Sequence, residues 1–290
     1  MEALLRTIYQ ERASESRTLG IIILEKQLNH SPITDNFDAI LLIIVKDSEQ
    51  PWYVKHYQFE AGTAAMHVVN EQQLKLWIDT STYRRVVQWV TEGKVIFDRN
   101  EYISELRTEL DQFPNEKRYL RMAIEFAKLT RSYREAKQFF ETENQLDCYN
   151  KVISALHSLG RLTLIGQGYH PERIVWDQIK RLDPPTFKLY EELLSSDEPL
   201  ADRLGLMMLA IDVSINSKSK IAAKHLLDVM KTKQGSWSFG DLANHPDLQY
   251  YQLDLSMMLD YLVEKQLITI ELLEAKGQGV YHRLYRPANE

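Results

Sequence analysis

Cysteine is almost absent from this chain: one in 290 residues, Cys148. No internal disulfide can form, which favours a reducing, cytoplasmic setting, and Cys148 itself reads as a small buried core residue. Long apolar runs are missing too. The longest, 39–45 and 206–211, fall far short of the ~18–20 residues that cross a bilayer, so no membrane association is expected. The N-terminal stretch "MEALLRTIYQERASESR" alternates charged and apolar residues and lacks an apolar signal core. Excess positive charge is absent: 35 Lys and Arg face 41 Asp and Glu, a net of −6. Divided along the chain, residues 1–115 carry −5, residues 116–215 carry −1 and residues 216–290 are neutral. No segment announces a nucleic-acid binder by charge alone. Sequence repeats and low-complexity tracts are also absent. What is present, 44% hydrophobic and 26% charged residues, suits a soluble globular protein of two or three domains.

The boundaries show in changes of rhythm. Residues 1–114 mix strands and helices. "EALLRTIYQE" spaces Leu4, Leu5, Ile8 and Tyr9 for one face of a helix. "LGIIIL" (19–24) and "AILLIIV" (39–45) are short β-branched runs, the pattern of strands covered on both faces. "PWYVKHYQF" and "TAAMHVV", joined by "EAG" with Gly62, read as a hairpin. A helix then starts after Asn70 as N-cap. "KVIFD" is a short strand ending at Asp98, and the helix after it is capped by Asn100 and stopped at Pro114. From 115 to 215 the rhythm is wholly helical. On "RYLRMAIEFAKLTRSYREAKQFF", Leu120, Ile124, Ala127, Tyr133 and Phe140 fall near one stripe; the cations of that helix read as a solvated face, with a groove facing the sheet domain as the alternative for its arginines. A second helix stops at Gly166 and Gly168, and prolines at 171, 184–185 and 199 punctuate three shorter ones. Trp176 reads as bundle core. Residues 216–290 give one helix over "KSKIAAKHLLDVMKTK", a short one capped at Ser238, a third over "QLDLSMMLDYLVEKQLI", and two strands around Gly277 and Gly279.

This order of elements resembles known architectures. The three helices and hairpin at the end resemble a winged helix-turn-helix domain. Residues 1–114 resemble the nucleotidyltransferase superfamily with its DNA polymerase β-like fold. The kanamycin-type members of that superfamily also follow the catalytic domain with a helical one. The whole chain looks most like bacterial "nucleotidyltransferase-like" proteins. The fold class implied is α+β, with a mixed-sheet domain over 1–114, a helical, substrate-binding-like bundle over 115–215, and a winged helix over 216–290. Strands 19–24 and 38–45 should lie side by side in one sheet.

The same resemblance identifies a weak point. The family pattern has Gly-Ser at a strand end, Asp-x-Asp on the next strand and a third acid on a later one. Those acids bind Mg²⁺, which stabilises in-line attack on the α-phosphate of a nucleotide. Here Glu25-Lys26 stand where Gly-Ser is wanted, Asp38 holds the first acid position, and Ile40 holds the second. On "AAMHVV" the one polar candidate is His67. Asp38 is thus the catalytic remnant, and Asp38 with His67 the candidate metal ligands, for Mg²⁺ or Mn²⁺ arriving with a nucleotide. The bland alternatives are that Asp38 bonds the loop before its strand, that His67 is a buried strand histidine, that Asp98 fixes the turn into the next helix, and that Asp35 and Asn36 serve the turn. The leading expectation is a degenerate nucleotidyltransferase that binds a nucleotide or small ligand in the cleft between the first two domains, with little or no transfer. One alternative is an active enzyme recruiting Glu25 or Glu60. Another is a non-enzymatic regulator acting through the winged helix.

For that winged helix, the third helix carries Asp254, Asp260 and Glu264, which would repel a phosphate backbone. Nucleic acid therefore ranks below packing or partner binding. Any contact would use Lys276, Arg283 and Arg286 at the wing and the lysines at 218, 220, 224, 231 and 233 of the first helix.

Overall fold

The computed structural model describes all residues except 27–32, 276, 278 and 289–290. It divides into two compact units, Met1–Pro114 and Asn115–Glu290, each treated by itself below.

The first unit is a five-stranded mixed sheet with helices on both faces. Its elements are α1 (Glu2–Ser14), β1 (Thr18–Glu25), β2 (Ala39–Val45), β3 (Trp52–Phe59), β4 (Gly62–Asn70), α2 (Glu71–Thr80), α3 (Arg85–Glu92), β5 (Lys94–Asp98) and α4 (Tyr102–Gln112). The strand order is β3-β4-β2-β1-β5. β1 and β2 pair antiparallel as neighbours, as their sequences led one to expect, and β2 runs parallel to β4. All seven residues of β2 are buried, which is why the run is continuously apolar rather than alternating. Period-two alternation then assigns the faces. Ile21, Ile23, Leu41 and Ile43 pack with Leu5 of α1. Ile22, Ile40, Leu42 and Ile44 pack with Leu74, Trp77, Trp89 and Leu106 of α2, α3 and α4. Asn70 caps α2 as expected, its side chain accepting from the Gln73 amide at 2.8 Å. One cap differs. Asn100 sits at φ 52° inside a 3₁₀ turn, and Asp98 caps α4 instead, accepting from the amides of Ile103 and Ser104. The turn inserted between strand and helix swings Asn100 away from the helix end, so the acid two residues earlier takes its role.

The second unit begins with α5 (Asn115–Glu141) and α6 (Gln145–Gly166), followed by α7 (Val175–Leu182), α8 (Pro184–Ser195) and α9 (Leu200–Ala222). α5 carries no single apolar stripe. Met122, Ala123, Ile124, Phe126 and Ala127 are all buried, while Phe140 is exposed. Helices α6, α9 and further elements pack around it, and an enclosed helix buries every side. Its cations do not form a uniformly solvated face: Arg121 is 3% exposed. Trp176 is half-buried, stacked on Tyr190 with ring centroids 3.9 Å apart. α9 is a single 23-residue helix rather than a short one, and it runs through the expected boundary at 215/216.

The expected first helix of the winged domain is therefore two pieces. Lys218 and Lys220 end α9, and after a break at Ala223 a new helix, α10 (Lys224–Lys231), begins. Ala and Lys favour helix on both sides of the break, so only packing decides it. Then come β6 (Trp237–Ser238), α11 (Phe239–Ala243), a 3₁₀ segment (Pro246–Asp254), α12 (Leu255–Glu264), β7 (Ile268–Glu274) and β8 (Tyr281–Pro287), with sheet order β6-β8-β7. Ser238 and Asp241 form a capping box on α11, and Leu255, Met258, Leu259 and Leu262 are buried together on α12. This is a winged helix-turn-helix arrangement.

Candidate functional site

Asp38 lies where three strands end. Its carbonyl accepts from the Lys26 amide beyond β1 at 2.8 Å, and its amide donates to the Thr63 carbonyl on β4 at 3.0 Å. Its carboxylate reaches the same residue: Oδ2 accepts from the Thr63 amide at 2.8 Å and from the Thr63 hydroxyl at 3.1 Å. Those bonds, the amide first, hold the carboxyl below the usual aspartate range. Gly62 makes the approach possible. It has φ +149°, and a Cβ there would stand 2.8 Å from Asp38 Oδ2.

Ile40, two residues on, is fully buried among Ile22, Leu42, Ala65 and the helices above them. Glu25 accepts from the Glu2 amide at 2.8 Å and lies 3.0 Å from the Met1 ammonium. These contacts, the ammonium foremost, lower its pKa. Glu60 is exposed in the β3–β4 turn. Beside this end of the sheet is a cavity of about 370 Å³ whose lining includes Leu24, Lys26, Thr34, Glu92 and Lys94.

His67 is not brought to Asp38. In the parallel β2–β4 register it stands opposite Leu42, four residues along from Asp38, or roughly 13 Å at ~3.3 Å per residue. The two cannot share an ion, which corrects their pairing as metal ligands. His67 is 5% exposed within an aromatic cluster. Trp52 donates to its Nδ1 at 3.3 Å, Trp89 meets it edge-on at 4.6 Å, and Tyr83 joins Trp52, Trp77 and Trp89 around it. Among the described residues, no group of three or more His, Cys, Asp or Glu is placed to hold a metal ion.

Burial, with a smaller push from His56, lowers the His67 pKa to about 4 from the usual 6.5. The unfolded chain then binds this proton between pH 6.5 and 4 and the folded one does not. Stability is accordingly highest above pH 6.5 and falls as pH drops through that window, by up to about 3 kcal/mol. His67→Gln should flatten the fall. Urea midpoints of both proteins at pH 7, 5.5 and 4.5 check this, and parallel slopes would refute it.

The loop before Asp38 is held from α3: Trp89 donates from Nε1 to the Ile33 carbonyl at 2.8 Å. Asp35 and Asn36 take left-handed turn conformations, and Arg85 pairs with Asp35. Sequence reading missed Trp89 because no local pattern marks a side chain that reaches a carbonyl 56 residues away.

In the second unit, buried charge sits on the inner side of α5. Glu125, 4% exposed, lies 3.2 Å from Lys128 and 3.8 Å from Arg161 of α6. The acids expected to keep the third helix away from phosphate all have cationic neighbours. Asp254 lies 2.6 Å from Arg131, Asp260 lies 3.5 Å from Arg283, and Glu264 lies 2.8 Å from Arg134. Arg131 and Arg134 belong to α5, and Phe126 of α5 meets Tyr261 of α12 edge-on. The face of α12 carrying Tyr261 is thus packed on the bundle. Arg283 and Arg286 are exposed on β8, and Lys276 lies outside the described residues. No helix among the described residues is long and apolar enough to cross a membrane.

A mixed sheet in the order β3-β4-β2-β1-β5, followed by a helical bundle and a winged helix, defines a nucleotidyltransferase-like protein. Comparison with known proteins agrees along the whole chain. Residues 1–118 match the family described as nucleotidyltransferase-like, 119–218 the YgxA-like substrate binding domain, and 224–287 a helix-turn-helix domain. "Uncharacterized protein YgxA" of Bacillus subtilis (strain 168) is 50% identical over 285 residues, covering 98% of this chain and 97% of its own. The crystal structure of a nucleotidyltransferase-like protein from Exiguobacterium sibiricum 255-15 superposes with a TM-score of 0.83 at 38% identity, covering all of both chains. The chain belongs to the YgxA-like family of nucleotidyltransferase-like proteins.

Proposed function

We propose that the protein binds a nucleotide or another small ligand through its nucleotidyltransferase-like domain, at the end of the sheet where β1, β2 and β4 meet, and transfers little or no nucleotidyl group. The observation that carries this reading is Ile40, fully buried at the position where the fold's second acid would be needed. Two-metal phosphoryl transfer requires ions ~3.5–4 Å apart held by shared carboxylates, and an isoleucine supplies no oxygen. Asp38, already accepting two hydrogen bonds from Thr63, retains capacity for at most a single Mg²⁺ or Mn²⁺ that the nucleotide's own phosphates largely hold. Lys26 and Lys94 are the cations a phosphate would meet at the adjoining cavity, which Glu2, Glu25 and Glu92 also line; Lys94 is paired with Glu2 at 2.7 Å, so a phosphate there would have to displace that acid or arrive with its own cation. The test is calorimetry with the four ribonucleoside triphosphates and Mg²⁺ or Mn²⁺, beside a pyrophosphate-release assay. Saturable binding without metal-dependent release is expected. Release that disappears in Asp38→Asn, Glu25→Gln or Glu60→Gln would establish the active enzyme instead.

The exposure of Arg283 and Arg286 on the wing strand favours a second reading, sequence-independent contact with nucleic acid. Each neutralised phosphate contributes about −0.9 to the slope of log affinity against log salt. For the full-length chain on duplex DNA, Arg283→Ala with Arg286→Ala should flatten that slope by about two and leave sequence preference unchanged. Gln252→Ala with Ser256→Ala should change little. Sharp sequence preference lost with Gln252 and Ser256 would make α12 a reading helix and reverse this ranking.

A further inference from the structure

Of the two longest apolar runs in the chain, 39–45 is a buried strand and 206–211 lies on α9. A helix that is apolar on every side is one enclosed on every side. α9 is enclosed on one side only. Leu204, Met207, Met208, Ile211 and Ile215 are buried, and α9 packs on α5, α6 and α8. Leu206, Leu209 and Val213 are 52%, 65% and 62% exposed. They are the middle of a longer series. Asp202, Leu206, Leu209, Val213, Asn216 and Lys220 are all exposed, at steps of four, three, four, three and four residues. That spacing keeps them on one narrow strip, the a and d positions of a two-helix seam. Phe140 of α5, also exposed, lies against Gly205 and widens the apolar strip.

We infer that this face of α9 is the seam of a homodimer, covered by α9 of a second copy of the chain running antiparallel. The face is its own complement, as an interface with two-fold symmetry must be. Its spacing reads the same from either end. Turned end for end about Ile211, Leu209 meets Val213 of the partner subunit, Leu206 meets Asn216 of the partner subunit, and Asp202 meets Lys220 of the partner subunit. Each pair is made twice. Lys220 is exposed and can add that acid to the contacts it has within its own chain. A parallel pair would instead set acid against acid and lysine against lysine. Asn216, a polar residue in the seam, disfavours other registers. A partner of unrelated sequence would require neither the symmetrical spacing nor opposite charges at equal distances from the centre. A seam roughly 27 Å long on a helix ~10 Å wide covers less than the ~800 Å² that each partner of a standard interface buries. The expected dissociation constant is accordingly micromolar. This surface lies away from the end of the β-sheet and does not depend on the reading proposed for that end.

The test is sedimentation equilibrium of the full-length protein from sub-micromolar to high-micromolar concentration. The mass should rise from 34.0 kDa to twice that. Leu209→Glu brings two carboxylates into the seam and should weaken association about a hundredfold. It should leave the melting midpoint of the dilute protein unchanged, because Leu209 is exposed in the single chain. Orientation is read by cross-linking. Leu206→Cys and Asn216→Cys proteins, mixed under oxidising conditions, should give a covalent dimer. Neither should do so alone, because like positions of the antiparallel pair lie about 15 Å apart along the helix, beyond the ~7 Å reach of a disulfide. Cys148 is buried and takes no part. If Leu209→Glu fails to fold, as circular dichroism would show, the mixed disulfide decides alone. The proposal is overturned if the wild type keeps the monomer mass throughout, or if the dimer survives Leu209→Glu. It is equally overturned if either cysteine variant cross-links by itself as readily as the mixture, or if a folded Leu209→Glu protein melts lower when dilute.

Discussion

Ile40→Asp, which would place a second acid two residues after Asp38, is expected to unfold the first unit rather than create a metal site. Ile40 is fully buried in the middle strand and packs under α2, α3 and α4. Truncating a buried isoleucine costs about 2–5 kcal/mol through lost contacts and the cavity left behind. An ionised carboxylate in the same place adds several kcal/mol more unless a counter-ion reaches it. The sum approaches the whole stability of a typical domain, about 5–15 kcal/mol. Urea denaturation of Ile40→Ala, Ile40→Asn and Ile40→Asp separates size, polarity and charge, and the loss should grow in that order. A folded Ile40→Asp protein whose stability rises with Mn²⁺ would mean that the acid finds an ion beside Asp38. The proposed loss of transfer chemistry would then come down to one reversible substitution.

The second large effect concerns the join between α5 and the winged helix. Arg131→Ala should destabilise the second unit by roughly 2 kcal/mol. Breaking a fully buried pair costs about 3–5 kcal/mol, and the figure is reduced here because the Arg131 side chain is 42% exposed while that of Asp254 is 9% exposed. Burial raises the Asp254 pKa above 3.8, with Arg131 and Lys128 opposing and Glu135 reinforcing. Removing Arg131 raises it further. A carboxyl whose folded pKa lies above its unfolded value destabilises the fold when ionised, and that penalty is relieved as pH falls through the folded pKa towards 3.8. The Arg131→Ala deficit should therefore be largest near neutral pH and shrink on acidification. Asp254→Asn should restore most of it at pH 7. Chemical denaturation of the two single variants and the double variant, at pH 7 and pH 5, checks both sign and size. A neutral Arg131→Ala would mean that apolar packing alone, Phe126 on Tyr261 included, holds α12 to the bundle.

The first unit was more legible than the second because a strand's pattern is local. Seven apolar residues from Ala39 to Val45 can be read as a strand covered on both faces, and Asn70 before a helical run as a cap, without knowledge of the partners. α5 shows the limit. Its composition resembles a charged helix with one apolar stripe, yet helices around it bury Arg121 and Glu125. A polar residue on an enclosed helix looks the same in sequence as one facing water. The break at Ala223 has no local signal either.

At the candidate site the same division holds. Sequence alone determined that Glu25-Lys26 follow the first apolar run and that Asp38 and Ile40 open the second, since identity at a position is not altered by folding; that these are the family's Gly-Ser and Asp-x-Asp positions is what the resemblance implies. It could suggest His67 as a partner for Asp38, because both lie on neighbouring strands. Only the tertiary structure decided that strand register holds them roughly 13 Å apart, at ~3.3 Å per residue, with His67 enclosed by Trp52, Tyr83 and Trp89.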